Sequence, residues 1–144
     1  MSDRDLLKIP VEGAVLPKVR AKVRDLAGRV GADPTVCDNL ALVVDELVNN
    51  AIEHGAVYRK TSQDLTVRIA LDGEDLLIEF FDPDMPVELI EELSEVLTAT
   101  ANGMPALESE RGRGLFLLTV YLGELKAETA SQGGLRLVGK ILSK

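Results

Sequence analysis

The sequence predicts an α+β domain built as a two-layer sandwich, a sheet with helices over one of its faces. Three observations carry the prediction. Helical periodicity comes in blocks, a neighbouring pair before residue 55 and further stretches after residue 87. Strand periodicity comes as two hairpins, each with its own glycine turn. Segregated helices and hairpins bury their apolar faces by stacking as two layers. Finally, 46% hydrophobic and 28% charged residues in a chain of 144 describe one globular domain spanning residues 1–144, long enough to bury a core.

The elements follow in order. Leu6 to Val11 reads as a short strand closed by Pro10 and Gly13. Pro17 suits a first helical turn; Val19, Val23, Leu26 and Val30 recur at helical spacing, and Gly31 stops the helix. Asp33 is an N-cap, Pro34 fits the first helical position and Gly55 is the stop of the longest helix. Leu65, Val67, Ile69 and Leu71 alternate with polar or small residues, the period of a half-buried strand. Asp72-Gly73 marks a turn, and Leu76 to Phe81 a second strand. Val87 to Thr98 is helical, with Leu89, Ile90, Leu93 and Leu97 inward and Glu88, Glu91, Glu92 and Glu95 outward. Ala99 to Arg113 reads as a loop and Leu115 to Leu122 as a short apolar helix. Strands Leu125 to Ala130 and Leu135 to Leu142 flank the turn Ser131-Gln132-Gly133-Gly134.

Composition excludes several functions. There is no Trp, with two Tyr and three Phe, and the net charge is −8. Such a chain repels a phosphate backbone and lacks stacking rings, so no direct contact with nucleic acid is expected. Cys37 is the single cysteine and has no metal-ligand cluster around it. No apolar run approaches the ~18 residues that span a membrane, and Met1 to Asp5 lacks the basic start of a signal peptide. The reading is a cytoplasmic protein.

Chemistry concentrates in three places. At about 100° per residue, Leu40, Val44, Leu47, Val48 and Ala51 share one face of the long helix. Asn39, Glu46, Asn50 and Glu53 form a polar stripe along its border. A carboxylate and an amide on successive turns can hold a hydrated divalent cation or orient a nucleophile; taken alone, such a pair reads first as a solvated helix flank. Glu110-Arg111-Gly112-Arg113-Gly114 runs into an apolar helix. Glycines there admit a ligand to the backbone, the helix N-terminus favours an anion, and Arg111 and Arg113 add charge for phosphate; a plain connector has the same look. Phe81-Asp82-Pro83-Asp84-Met85-Pro86 ends a strand, where Asp82 either caps a turn or accepts from a base's exocyclic amine. His54, the only histidine, sits just before Gly55 and reads as a helix closure.

Together, the order and spacing are specific. Glu46-Leu47-Val48-Asn49-Asn50-Ala51-Ile52-Glu53-His54-Gly55 resembles the N box of the histidine-kinase-like (GHKL) ATPases. Asp82 to Pro86 resembles their adenine-binding turn, and Gly112-Arg113-Gly114-Leu115 their phosphate loop, with the ATP lid between. The short length and the form of these boxes are similar to the anti-sigma-factor serine kinases; gyrase and MutL relatives carry large extra domains. The resemblance implies the Bergerat-type sandwich with a mostly antiparallel sheet, ATP and Mg²⁺ as ligands, and phosphoryl transfer to a protein. It implies that Glu46 polarises the attacking hydroxyl, Asn50 holds Mg²⁺, Asp82 binds the adenine amine, and Gly112 and Gly114 cradle phosphate. It further implies a homodimer that binds a sigma factor and a STAS-type anti-anti-sigma protein. Two positions depart from the family: Asp84 stands where glycine is usual, and Gly133-Gly134-Leu135 where many relatives place a threonine. A non-catalytic partner-switching regulator on the same fold therefore stands beside the kinase.

Overall fold

The computed structural model describes residues 6–10, 16–55, 58, 64–101 and 122–141. Its elements are β1 (Leu6–Ile9), α1 (Leu16–Arg29), α2 (Pro34–Gly55), β2 (Leu65–Asp72), β3 (Asp75–Asp82), α3 (Val87–Ala101), β4 (Glu124–Thr129) and β5 (Leu135–Ile141). The five strands form one sheet in the order β1-β2-β3-β5-β4, and every neighbouring pair is antiparallel. The expected α+β layering is therefore present. The apolar helix read at Leu115 to Leu122 lies outside the described residues save Leu122, which is buried.

Helix termini form where the sequence places them. The Asp33 carboxylate accepts the Val36 N–H at 2.9 Å, capping α2. After α1, Gly31 adopts φ +92°, while Ala32 donates to the Ala27 carbonyl and Gly31 to the Gly28 carbonyl. That pair of bonds is a Schellman closure, which needs a residue free to take a left-handed conformation. The β2–β3 hairpin has Asp72 paired with Asp75, so Gly73 and Glu74 form its loop. Gly73 takes positive φ and Glu74 does not, the pattern of a type II′ turn with glycine in the first central position. α3 runs to Ala101, past the Thr98 expected from periodicity, because alanine and threonine continue a helix that no Gly or Pro interrupts before Gly103.

One core joins the two layers. The predicted stripe of α2, Leu40, Val44, Leu47, Val48 and Ala51, is buried, and so are Ala41 and Val43 beside it. The wider apolar arc has a cause: α1 packs against α2 with Val19, Val23 and Leu26 buried, so α2 is covered on more than one side. Ion pairs Arg24–Asp38, at 3.0 Å, and Arg20–Asp45, at 3.9 Å, run along the same seam. Exposed pairs of this kind contribute about 0–1 kcal/mol each, so the seam is held by its apolar residues. The sheet contributes Ile9, Leu65, Val67, Ile69, Ile78, Phe80, Leu135 and Leu137, and α3 contributes Ile90, Leu93 and Leu97. Cys37 is buried, and burial, followed by the nearby charges of Asp33 and Asp38, pushes its thiol pKa up.

Among the described residues, the other face of the sheet carries charge rather than a second helical layer. Glu79, at the centre of β3, is 6% exposed and lies between Arg68 of β2 and Arg136 of β5. Arg136 reaches Glu79 at 2.7 Å and Glu128 of β4 at 2.6 Å, so four strands are tied by one row of ions. Burial by itself would lower the Arg136 pKa, but hydrogen bonds and charge from Glu79, then Glu128, outweigh it and raise it.

The β4–β5 hairpin closes through Ala130 N–H to the Gly134 carbonyl, at 2.8 Å. Gly134 has φ +81°, and a Cβ there would lie 2.6 Å from the Asp82 carbonyl oxygen and 2.7 Å from Pro83 Cα. Gly133 also has positive φ, yet a Cβ on it would meet nothing within 4 Å. Gly133→Ala should therefore cost only backbone strain, about 1–2 kcal/mol. Gly134→Ala should cost roughly 2–4 kcal/mol, because it adds a backbone clash to the same strain. Urea denaturation of the two variants checks the difference; equal midpoints would show that the hairpin does not press on the Asp82–Pro83 turn.

Candidate functional site

β3 delivers Asp82 to the end of a central strand, where the chain turns through Pro83 and Asp84 to Met85. The Met85 N–H donates to the Asp82 carbonyl, closing a four-residue turn with Pro83 in its second position. Asp84, in the third position, does not have positive φ. A type II turn would demand glycine there, and a type I turn accepts aspartate; the departure from the family pattern at Asp84 thus leaves the turn unstrained.

The Asp82 side chain is fully buried. Its Oδ1 accepts the Asp84 N–H at 3.1 Å, and its Oδ2 accepts the Tyr58 hydroxyl at 2.6 Å. A buried carboxylate without donors costs several kcal/mol, so these bonds are a condition of its burial. Tyr58 is placed by α2: its N–H donates to the Gly55 carbonyl at the end of that helix, at 3.1 Å.

Across from Asp82, α2 presents Asn50 and Glu46, both half-buried. Asn50 Nδ2 donates to Glu46 Oε1 at 3.2 Å, the expected contact of residues four apart on a helix. Asn50, Asp82, Tyr58 and Met85 line one cavity with Leu47 and Leu135, so the predicted acceptor and part of the predicted polar stripe meet in space. Glu46 does not line it and stands one turn away on α2. The floor is apolar, with Phe80, Leu93 and Leu137, as suits a flat ring system with one polar edge. Arg111, Gly112, Arg113 and Gly114, and most of the expected lid, lie outside the described residues.

Among the described residues no cluster of three or more His, Cys, Asp and Glu could hold a metal ion. Magnesium does not require one: it keeps several waters and takes one or two protein oxygens together with substrate phosphates. The amide oxygen of Asn50 is a hard donor that fits this mode of binding. Tyr58 is the site residue that sequence reasoning missed. The available signal was its position, three residues past Gly55, as one of only two tyrosines in the chain.

The family model described as the histidine kinase-like ATPase domain matches residues 9–138. The chain belongs to that family. A solved structure of similar fold is a chain from the crystal structure of the SiaB–SiaC complex of Pseudomonas aeruginosa. The two superpose with a TM-score of 0.73 at 16% identity, over 94% of this chain and 88% of the other. No curated protein matches the sequence. The antiparallel sheet and the helices over one of its faces are thus those of a histidine kinase-like ATPase domain, and among the described residues no helix is long and apolar enough to cross a membrane.

Proposed function

We propose that the protein is an ATP-dependent protein serine/threonine kinase that also acts as an anti-sigma factor. In this reading it sequesters a sigma factor and phosphorylates a STAS-type anti-anti-sigma protein, as a cytoplasmic homodimer. The observation that carries the nucleotide half is the convergence of Asn50 and Asp82 on one apolar-floored cavity, from two segments far apart in sequence. The family match and the SiaB–SiaC neighbour, itself solved as a two-protein complex, support the partner-binding half.

Each residue has a physical task in this reading. Asp82 accepts from the adenine amine inside a dry pocket, where a charged acceptor is worth most. Arg111, Arg113 and the backbone of Gly112 and Gly114 receive the phosphates. Asn50 offers an oxygen to Mg²⁺, which when bound neutralises phosphate charge. Asn50 also holds Oε1 of Glu46, leaving the second carboxylate oxygen to take the proton of an attacking serine hydroxyl. As that proton leaves, the hydroxyl oxygen bonds to the terminal phosphorus and the bond to the ADP oxygen breaks. Phosphoryl transfer of this kind needs mainly positioning and charge neutralisation, both of which these residue types provide.

Calorimetry at millimolar Mg-ATP tests the first step. Wild type should bind, and Asp82→Asn should bind at least tenfold more weakly, having lost the charged acceptor. With labelled ATP and a STAS-type protein, Glu46→Gln should still bind nucleotide but lose on the order of 10²-fold in transfer. Absence of nucleotide binding to wild type would replace the kinase by a non-catalytic partner-switching regulator.

A partner of basic character fits the protein's charge. Glu88, Glu91, Glu92 and Glu95 are exposed along α3, on a chain of net charge −8. Such a face steers a basic segment of a sigma factor, and steering weakens with salt. Reversing Glu91 and Glu92 to Lys should slow association several-fold at low salt while leaving the fold intact. Association rates that do not respond to salt, in wild type or variant, would remove α3 from the encounter.

A further inference from the structure

Around the cavity beside Asp82, most side chains belong to the core: Phe80, Leu93, Leu135 and Leu137 are each less than 5% exposed. Asn50 and Tyr58 alone among its described lining residues are half-buried. Tyr58 is therefore the lining ring with a side open to solvent. It is also the donor to Asp82 Oδ2, at 2.6 Å, while the second oxygen of the carboxylate is bonded to the Asp84 N–H. With the phenol in this position the cavity encloses about 30 Å³. A single water needs roughly 10–15 Å³ of such space, so the cavity has room for a water or two and falls far below the ~300 Å³ at which ligand pockets begin.

Resting on the assignment of Asp82 as the base acceptor, we propose that Tyr58 gates the adenine subsite. Its hydroxyl holds the oxygen that the exocyclic amine requires, and its ring occupies the volume that the base requires. Nucleotide binding is then an exchange of donors on a buried carboxylate. The base brings its amine as Tyr58 swings outward, so the charge of Asp82 is never left without a partner. The geometry favours such an exchange. Tyr58 is fixed through its backbone to Gly55, and its half-buried ring packs against the margin of the core, so a rotation about χ1 exchanges that one contact for solvent. The cost is affinity, because nucleotide must compete with an intramolecular donor already in place. The gate therefore selects for ligands with a hydrogen-bond donor at the purine edge, since a base without one would not replace the bond that Tyr58 gives to Asp82 Oδ2.

The test is calorimetry with ADP on wild type, Tyr58→Phe, Asp82→Asn and the double variant, with circular dichroism to confirm folding. Tyr58→Phe removes the competing hydroxyl and leaves the ring, so it should bind ADP on the order of tenfold more tightly than wild type. It should also melt lower without ligand, because Asp82 loses a donor. In the Asp82→Asn background the same substitution should change ADP affinity less than twofold, since coupling between touching residues disappears when one partner is altered. Tyr121→Phe leaves Tyr58 as the only tyrosine, and in that variant the Tyr58 ring resonances should shift on ADP addition. Equal or weaker ADP binding by folded Tyr58→Phe, with wild type binding normally, would overturn the gate and leave the nucleotide assignment standing. Failure of folded wild type and Tyr58→Phe alike to bind ADP at millimolar concentration would overturn both.

Discussion

A carboxylate sealed from water at the end of a central strand imposes conditions on everything around it. Asp82 is fully buried, and an ionised group in that position is tolerated only where donors replace its hydration. The turn after β3 supplies one, the Asp84 N–H, and the segment after α2 supplies another, the Tyr58 hydroxyl. The β4–β5 hairpin then closes over the same turn so tightly that position 134 has no room for a side chain. Three separate stretches of chain are thus committed to one acidic group. Stability alone would be served as well by an apolar residue, so the arrangement fits the ligand-binding role proposed for this acid.

The sheet treats its two faces differently, and the difference has a physical origin. Toward the helices it is aliphatic, and its strands interlock with α2 and α3 as one core. Away from them it buries a second acid, Glu79, but pairs it with two guanidinium groups whose stems cover it. Arginine suits this role because its planar fork bonds two acids at once, as Arg136 does with Glu79 and Glu128. Glu79 is balanced by permanent cations, whereas the two hydrogen bonds described at Asp82 come from neutral donors. A neutral donor can be exchanged for a ligand's at little electrostatic cost; a permanent ion pair resists the exchange. These two buried acids of the described residues therefore differ in chemistry as well as in place: one ties strands together, and the other, in the function proposed above, receives a base.

Helix α2 links fold and site. Its apolar arc is set by contact with α1 and the core, which fixes the rotation of the helix about its axis. That rotation in turn fixes where Glu46 and Asn50 point, since they occupy the border of the arc. Precision at the site is thus inherited from packing, and a neighbour only 16% identical retains the same architecture at a TM-score of 0.73. Many aliphatic combinations fill such a core provided their volume and pattern are kept.

Much of this was legible in the sequence, because periodicity, caps and turn residues act over a few positions. The Asp33 cap, the Gly31 stop, the alternation from Leu65 to Leu71 and the glutamate face of α3 are local facts, and local chemistry dictates them. The polar stripe of α2 was legible for the same reason: helical geometry alone places Glu46 and Asn50 on adjoining turns. The tertiary structure decided what no window of sequence contains. Strand order put β5 between β3 and β4, and that adjacency brought Gly134 onto the Asp82 turn and made glycine obligatory there. The meeting of Asn50 with Asp82, the matching of Arg136 with two acids, and the hydroxyl of Tyr58 on Asp82 are contacts between residues distant in the chain. Their energies depend on burial and on distances of a few ångströms, which are set only when the layers have closed.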